Sequence, residues 1–400
     1  MKQARTVKGE LFSMPRSAAT GDAIVCYPRE VVSGSRSLQR LGSLAAAHGG
    51  KALIVTHRPG HMRATGAVEV AAASLSAHNI SSTIFEVGPT PGVEEIDEGA
   101  KLLRAGGFDL SIGIGGGSAL DASKAISLLS ANSDRWESLQ MAGAEISATG
   151  PVIIAVPTTA GSGSEATAVA VIANKDHGVI KSVSHPYMIP TLVVLDPDLI
   201  VSGSAQLHAI VGLDAFSHAI ESFTSKRASD LTRVLSVAAL QLVTNHLPRV
   251  VSGGATYIDY RNSLLGSHLA GQALSAGIGA AHILAQPISA VLGVSHGTAL
   301  SLVLEEVVRF NEGLPEDPYR ELIGILAGGD QGTARMSDLV GRFMSRIGIQ
   351  NHPTSFGDAD AIPRILSAVE QSTGHIWTNP RSVSLEALEG ILTRSWNAPK

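Results

Sequence analysis

Asp214 and His218 stand four residues apart in an apolar, proline-free stretch, residues 212–221. On a helix that spacing raises both side chains from one face, one turn apart. A carboxylate and an imidazole presented together make half of a site for a divalent cation. His282 and His296, each set among glycine and apolar residues, are the downstream groups that would complete it. A single histidine in such surroundings is ordinarily a hydrogen-bonded core residue. Four such groups in one apolar region all need partners, and a shared cation satisfies them together. Three neutral imidazoles with one carboxylate suit Fe2+ or Zn2+, and the ligand types do not separate the two.

Upstream, two glycine-rich turns follow strand-like runs. The first, residues 113–124, contains Gly115, Gly116, Gly117 and Ser118, then Asp121 and Lys124. Glycine lets the backbone approach a pyrophosphate, and a helix amino end offers free N–H groups to its oxygens. The turn is neither the Gly-x-Gly-x-x-Gly fingerprint nor a P-loop. The second, residues 157–167, carries Thr158, Thr159 and Ser162, whose hydroxyls suit the ribose and nicotinamide end of a dinucleotide. Either alone reads as an ordinary turn. At the ends of successive parallel strands they would lie side by side. The strand at residues 51–56 runs into His57 and Arg58 where an acidic residue often meets the NAD ribose, which tilts the cofactor toward NADP.

These groups need elements to hold them. Strand-like runs at residues 23–27, 51–56, 82–87, 110–114 and 152–156 alternate with helical patterns at 37–48, 64–78 and 92–105. That alternation implies βαβ units, a mostly parallel sheet, and ligands at the carboxyl ends of its strands. After about residue 197 the texture becomes helical, with patterns at 207–225, 230–247, 257–274, 299–311, 319–327, 336–346 and 385–393. The expected division is a dinucleotide-binding α/β domain over residues 1–199 and an all-helical metal domain over 200–400, the first building a cofactor site and the second a metal site.

The composition supports a packed protein: 44% hydrophobic residues, 16% charged, 42 glycines and 4% aromatics in 400 residues. A net charge of −5 without a basic patch argues against nucleic acid as a partner. Charges, glycine and proline interrupt every apolar stretch before the ~20 residues a membrane span requires. The one cysteine, Cys26, sits in a strand-like run and reads as a small buried residue in a reducing, cytoplasmic protein.

Taken in order, these motifs resemble those of the iron-containing (group III) alcohol dehydrogenases, over about residues 23–392. The matching segments are residues 115–118 with Asp121 and Lys124, residues 157–165, Asp196-Pro197, residues 212–221, and the fourteen-residue separation of His282 from His296. The resemblance implies a Rossmann-like amino-terminal domain, a helical metal domain, an active site in a cleft between them, and homodimers formed through the amino-terminal region. It also implies that Asp214, His218, His282 and His296 hold the metal. Gly116, Gly117 and Ser118 would take the pyrophosphate, and Thr158, Thr159 and Lys181 would meet the nicotinamide side. Three positions depart from the pattern. Gln286 replaces a histidine thought to relay the proton, and an amide does not titrate near neutral pH. His57 replaces an aspartate associated with NAD, and Thr90 stands where asparagine is common.

The expected activity is hydride transfer between NAD or NADP and a small alcohol, aldehyde or ketone, with the metal as Lewis acid. The alternatives are a reductase or transhydrogenase for an oxo acid such as maleylacetate, anchored by Arg261, Arg346 or Arg381, and a lyase or cyclase of the dehydroquinate synthase type. A relative that only binds dinucleotide is a further reading, against which the complete ligand set argues. Residues 313–315 and 373–377, with His375 and Trp377, are candidate pocket walls or caps.

Overall fold

The computed structural model describes residues 25–59, 66–314, 317–327, 334–350, 352–372 and 378–398. Its strands are β1 (Glu30–Ser33), β2 (Lys51–His57), β3 (Ser81–Val87), β4 (Leu110–Gly115), β5 (Val152–Pro157), β6 (Val169–Asn174), β7 (Val179–Ser184) and β8 (Leu192–Leu195). Among and after them run α1 (Leu41–Ala45), α2 (Ala67–Ser76), α3 (Val93–Gly106), α4 (Gly117–Asn132) and α5 (Trp136–Gln140). The helical half holds α6 (Ala205–Thr224), α7 (Asp230–Val251), α8 (Tyr257–Ala273), α9 (Ala280–Leu292), α10 (His296–Ser301) and α11 (Leu304–Asn311). It closes with α12 (Arg320–Leu326), α13 (Met336–Arg346), α14 (Ala361–Ser372) and α15 (Leu385–Asn397).

Two compact units result. The first comprises Cys26–Thr158 and Ser164–Leu199; the second takes Thr159–Gly163 and the chain from Ile200 onward. The second glycine-rich turn is thus divided, with Thr158 in one unit and Thr159 and Ser162 in the other.

In the first unit six strands pair in the order β1-β8-β5-β4-β2-β3, every pair parallel. Residues of β2 alternate between two cores: Leu53 and Val55 join Ile96, Ala122 and Ile126, whereas Ala52 and Ile54 join Val68, Ile112 and Val194. A strand buried on both faces must be apolar at every position, which is why β2 reads as a continuous run rather than an alternation. Burial of each such Leu or Ile contributes roughly 1.5–3 kcal/mol. The register places His57, Gly115 and Pro157-Thr158 at the carboxyl ends of the adjacent strands β2, β4 and β5. β6 and β7 form a separate antiparallel pair.

The expectations differ from the structure in several places. Residues 25–27 have no regular structure and Cys26 is half-buried; Ala23 and Ile24 lie outside the described residues, as do Ala64, Pro315, His375 and Trp377. The helical pattern at 37–48 is a 3-10 turn, Ser37–Arg40, followed by the single turn of α1. The pattern at 299–311 is two helices, because the chain breaks at Leu302 and Val303 between α10 and α11.

In the second unit every residue of α6 from Gly212 to Thr224 is buried, its polar face included. Gly212 admits α7, since a Cβ there would lie 2.3 Å from Leu247. Ser204 starts α6 by accepting a hydrogen bond from Leu207 N at 3.1 Å. Among the described residues α7 alone is long and apolar enough to cross a membrane by length and composition. Its Ala239, Leu240, Val243 and Leu247 belong instead to the core of this unit.

α7 and α8 are tied by Asp259, 2% accessible. Its carboxylate accepts from Thr256 N and Thr256 Oγ1, both at 2.8 Å, and pairs with His246 Nδ1 at 2.9 Å. Burial raises this carboxyl, but the donors outweigh it and hold it at about 2. The stabilisation is therefore complete above the unfolded-state value near 3.9 and disappears as pH falls through about 2. Asp259→Asn is expected to cost about 2 kcal/mol at pH 7, as hydrogen bonds to a charged group do. Thermal melts should show that difference closing between about pH 4 and pH 2. A difference constant with pH would show that charge is not its source.

Candidate active site

Asp214 and His218 rise from one face of α6, and Glu221 continues that face at the next turn. His282 is the third residue of α9, and His296 the first of α10. Gly293, with φ +67°, ends α9 and turns the chain toward α10. Ser295 starts α10 by accepting from Thr298 N at 3.3 Å. Gly297 lets α10 close on α6, because a Cβ there would lie 2.4 Å from Ile210. These contacts bring His282 and His296 to the Asp214–His218 pair, far from it in sequence.

Asp214 Oδ1 is the common centre. It lies 3.3 Å from His282 Nε2, 3.5 Å from His218 Nε2 and 3.8 Å from His296 Nε2. Donors bound at ~2.0–2.2 Å to one tetrahedral ion stand roughly 3.4 Å apart, so the spacing suits a shared cation. Asp214, His218 and His282 are buried and place ligand atoms within 4.8 Å of one another. The His218 and His282 rings stack at 4.4 Å between centroids, and His296, with 43% of its side chain accessible, forms the open side.

The electrostatics agree with that donor set. Burial raises the Asp214 carboxyl, but His218, His282 and His296 together hold it well below its usual range. Burial pulls His218 down to about 4 against the attraction of Asp214. The crowding of protein groups also lowers His296, despite its accessible edge. Both imidazoles are therefore neutral at pH 7, the form that binds a metal. His282 behaves oppositely: burial lowers it, but Glu221 and Asp214 raise it to about 9.

Glu221 ends the 212–221 motif, and sequence alone assigns it no role. Its Oε2 lies 2.6 Å from His282 Nδ1 and accepts from Gly279 N at 2.8 Å; its Oε1 accepts from Ala281 N at 2.8 Å. Positions 214, 218 and 221 follow the i, i+4, i+7 pattern of one helix face, which was the available signal. Gln286, one turn beyond His282 on α9, is half-buried.

In the first unit, Gly116 caps α4 without a side-chain hydrogen bond, and the first turn of that helix carries no acidic residue. The amino end beside Gly117 and Ser118 thus suits a pyrophosphate. Gly115 has φ +154°, and a Cβ there would lie 2.8 Å from Ala119 Cβ and 3.2 Å from His57 Cδ2. His57 is 1% accessible and packs beside this turn, so it does not face solvent. Arg58 pairs with Glu95 at 2.9 Å. Thr158 N donates to Gly115 O at 2.9 Å and joins the two strand ends. Lys181 is half-buried on β7, and Thr90 is exposed.

Asp121, beside the first glycine-rich turn, is engaged within the protein. Its carboxylate accepts from Ser164 Oγ at 2.5 Å and Val171 N at 3.0 Å, and it pairs with Lys124 at 3.0 Å. It ties α4 to Ser164 and to β6. In the second unit, Thr159 and Ser162 lie in a turn seated on α6 and α8. A Cβ on Gly161 would lie 2.6 Å from Val211, and one on Gly163 2.5 Å from Gly271. Of the proposed anion anchors, Arg261 and Arg346 are exposed, and Arg381 donates to Glu312 O at 2.7 Å while covering Phe310.

The chain matches two family models, iron-containing alcohol dehydrogenase over residues 28–197 and the carboxyl-terminal domain of the Fe-containing alcohol dehydrogenase family over residues 208–396. It is 36% identical over 248 residues to 1-propanol dehydrogenase PduQ of Salmonella typhimurium, covering 62% of this chain and 64% of that protein. Probable alcohol dehydrogenase EutG of Escherichia coli is 30% identical over 370 residues, 91% of this chain and 92% of that one. Among solved structures, a 1,3-propanediol oxidoreductase aligns with a TM-score of 0.87 at 25% identity, covering 94% of this chain and 100% of its own. The chain belongs to the iron-containing alcohol dehydrogenase family, with a Rossmann-like parallel sheet followed by a helical domain, and is a metal-dependent, NAD(P)-linked alcohol oxidoreductase.

Proposed function

We propose that the protein interconverts small primary alcohols and their aldehydes, with Fe2+ held by Asp214, His218, His282 and His296. The observation that carries this reading is the Asp214 oxygen within 3.3–3.8 Å of three imidazole nitrogens. Relatives named as 1-propanol and 1,3-propanediol dehydrogenases make a short alcohol the first substrate to test. A divalent ion held there supplies Lewis-acid polarisation of the substrate oxygen. A dinucleotide bound at the glycine-rich turns would supply the hydride acceptor, and oxidation of the alcohol would release one proton. Asp214 provides the charge of the donor set, while His218 and His296, both neutral, add lone pairs without adding charge. Gln286 does not titrate near neutral pH, so the released proton leaves through another group.

For the dinucleotide we assign the pyrophosphate to Gly115, Gly116, Gly117 and Ser118, with the nicotinamide side to Thr158, Thr159, Ser162 and Lys181. His57 packs beside this turn. A 2′-phosphate seeking Arg58 would compete with Glu95 for the same guanidinium, which favours NAD over NADP. The same reading carries a homodimer, supported by the family resemblance, and residence in a reducing compartment, supported by the lone Cys26.

The test is aldehyde-dependent NADH and NADPH oxidation by protein reconstituted with Fe2+ or Zn2+. Propionaldehyde should be reduced with NADH preferred, and His282→Ala should lose bound metal and activity together. Turnover by metal-free protein, or by His282→Ala, would remove the metal from the reaction.

A further inference from the structure

Glu221 carries a feature that the ligand set alone does not require. This carboxylate is buried, 5% accessible, and faces three donors: Gly279 N, Ala281 N and the His282 ring. We propose that Glu221 is the positioning residue of the metal site: it holds the proton of His282 on Nδ1, and so aims a free lone pair at Nε2 toward Asp214. The proposal rests on the metal reading above and deepens it.

The tautomer follows from counting protons. A carboxylate already accepting from two backbone N–H groups is in its charged form and has no proton to donate. The short contact to Nδ1, 2.6 Å, therefore requires Nδ1–H as donor. Binding a divalent cation would displace the second proton from the ring, and in that neutral form Nε2 is unprotonated; it is Nε2 that lies 3.3 Å from Asp214 Oδ1. The backbone is shaped for this contact. A Cβ at Gly279 would lie 2.7 Å from Glu221 Oε1, so only glycine lets α9 begin against the carboxylate. His282 is singled out among the buried ligands, for His218 Nδ1 has no hydrogen-bond partner among the described residues. Charge points the same way: Asp214 and Glu221 together carry two negative charges, which balance a divalent cation in a buried site.

Asn379 provides a control on the same turn. Its Oδ1 accepts from Ala280 N at 3.2 Å and from Asn311 Nδ2 at 3.1 Å, so it braces the start of α9 through the backbone. A purely structural role for Glu221 predicts that loss of either residue acts alike.

Metal-free protein is titrated with Co2+, read by its d–d absorption and by competition with a chelator. Glu221→Gln is expected to weaken Co2+ binding about 10–100-fold and to shift the absorption envelope. Asn379→Ala is expected to lower Tm yet change Co2+ affinity by no more than about threefold, because it leaves the ring and its charge partner in place. Equal Co2+ affinity for wild type and Glu221→Gln, or equal losses in the two variants, overturns the proposal. If Glu221→Gln does not fold, the Zn2+-loaded wild-type protein decides by proton and nitrogen NMR. An exchange-protected Nδ1–H on His282, assigned by its loss in His282→Gln, supports the proposal; a proton on Nε2 overturns it. Wild-type protein that binds no Co2+ overturns the metal reading and this proposal with it, whereas every other outcome leaves that reading standing.

Discussion

Asp214→Asn is expected to abolish stable metal binding and alcohol oxidation while leaving the helical unit folded. One oxygen of Asp214 is the atom that all three imidazoles approach, at 3.3, 3.5 and 3.8 Å, so its loss affects every pairing in the site. The amide keeps the shape of the side chain but removes its charge, leaving three neutral imidazoles to hold a divalent cation. Changes to groups that only support a ligand cost about 10–100-fold in affinity; loss of the central charged ligand should exceed that, by at least about 10³-fold. The fold should survive because a buried carboxylate without a cation carries a desolvation cost that an amide of the same shape avoids. Metal content by mass spectrometry, aldehyde-dependent NADH oxidation and a thermal melt check the three parts. Stoichiometric Fe2+ with wild-type turnover in the variant would show that the metal is held elsewhere. Loss of helical structure would show that Asp214 acts on the fold.

The outline of this site was legible because its first pair is local. Asp214 and His218 are a helix turn apart, and no long-range contact is needed to see that they share a face. The glycine-rich turns and strands β2, β4 and β5 were legible for a similar reason, since unbroken apolar runs ending in glycine or threonine mark strand ends in a doubly covered sheet. Glu221 sits in the same motif, but its meaning comes from Nδ1 of a histidine 61 residues away, and no spacing announces that contact. α9 went unread because Gly277, Gly279 and Pro287 look like helix breakers. In the structure Gly279 instead admits the Glu221 carboxylate, and Pro287 lies inside the helix. β1 and β8, of four residues each, were too short to register as periodic. The internal bonds of Asp121 were not legible, because its partners Ser164 and Val171 lie beyond the next strand.

Lys124 carries the second large expected effect. Its side chain is wholly buried; the ammonium donates to Ser164 O at 2.9 Å, Thr167 Oγ1 at 3.2 Å and Val169 O, and pairs with Asp121. Burial lowers its proton affinity, and Asp121 counteracts. Lys124→Met replaces the stem with a chain of similar volume but strands Asp121 and leaves three acceptors without their donor. Breaking a buried pair from one side costs about 3–5 kcal/mol, a large share of the ~5–15 kcal/mol that stabilises a typical protein. The Ser164–Val169 segment should loosen, and with it the turn that precedes it. Chemical denaturation and NADH fluorescence titration should therefore show lower stability and weaker dinucleotide binding together. The charge argument is separated from the loss of donors by Asp121→Asn/Lys124→Met. If the pairing of charges is what matters, the double variant should be more stable than the sum of the single losses predicts, by about 0.5–3 kcal/mol. If the losses add, the ammonium holds this unit through its carbonyl and hydroxyl acceptors, and Asp121 acts separately through Ser164 and Val171.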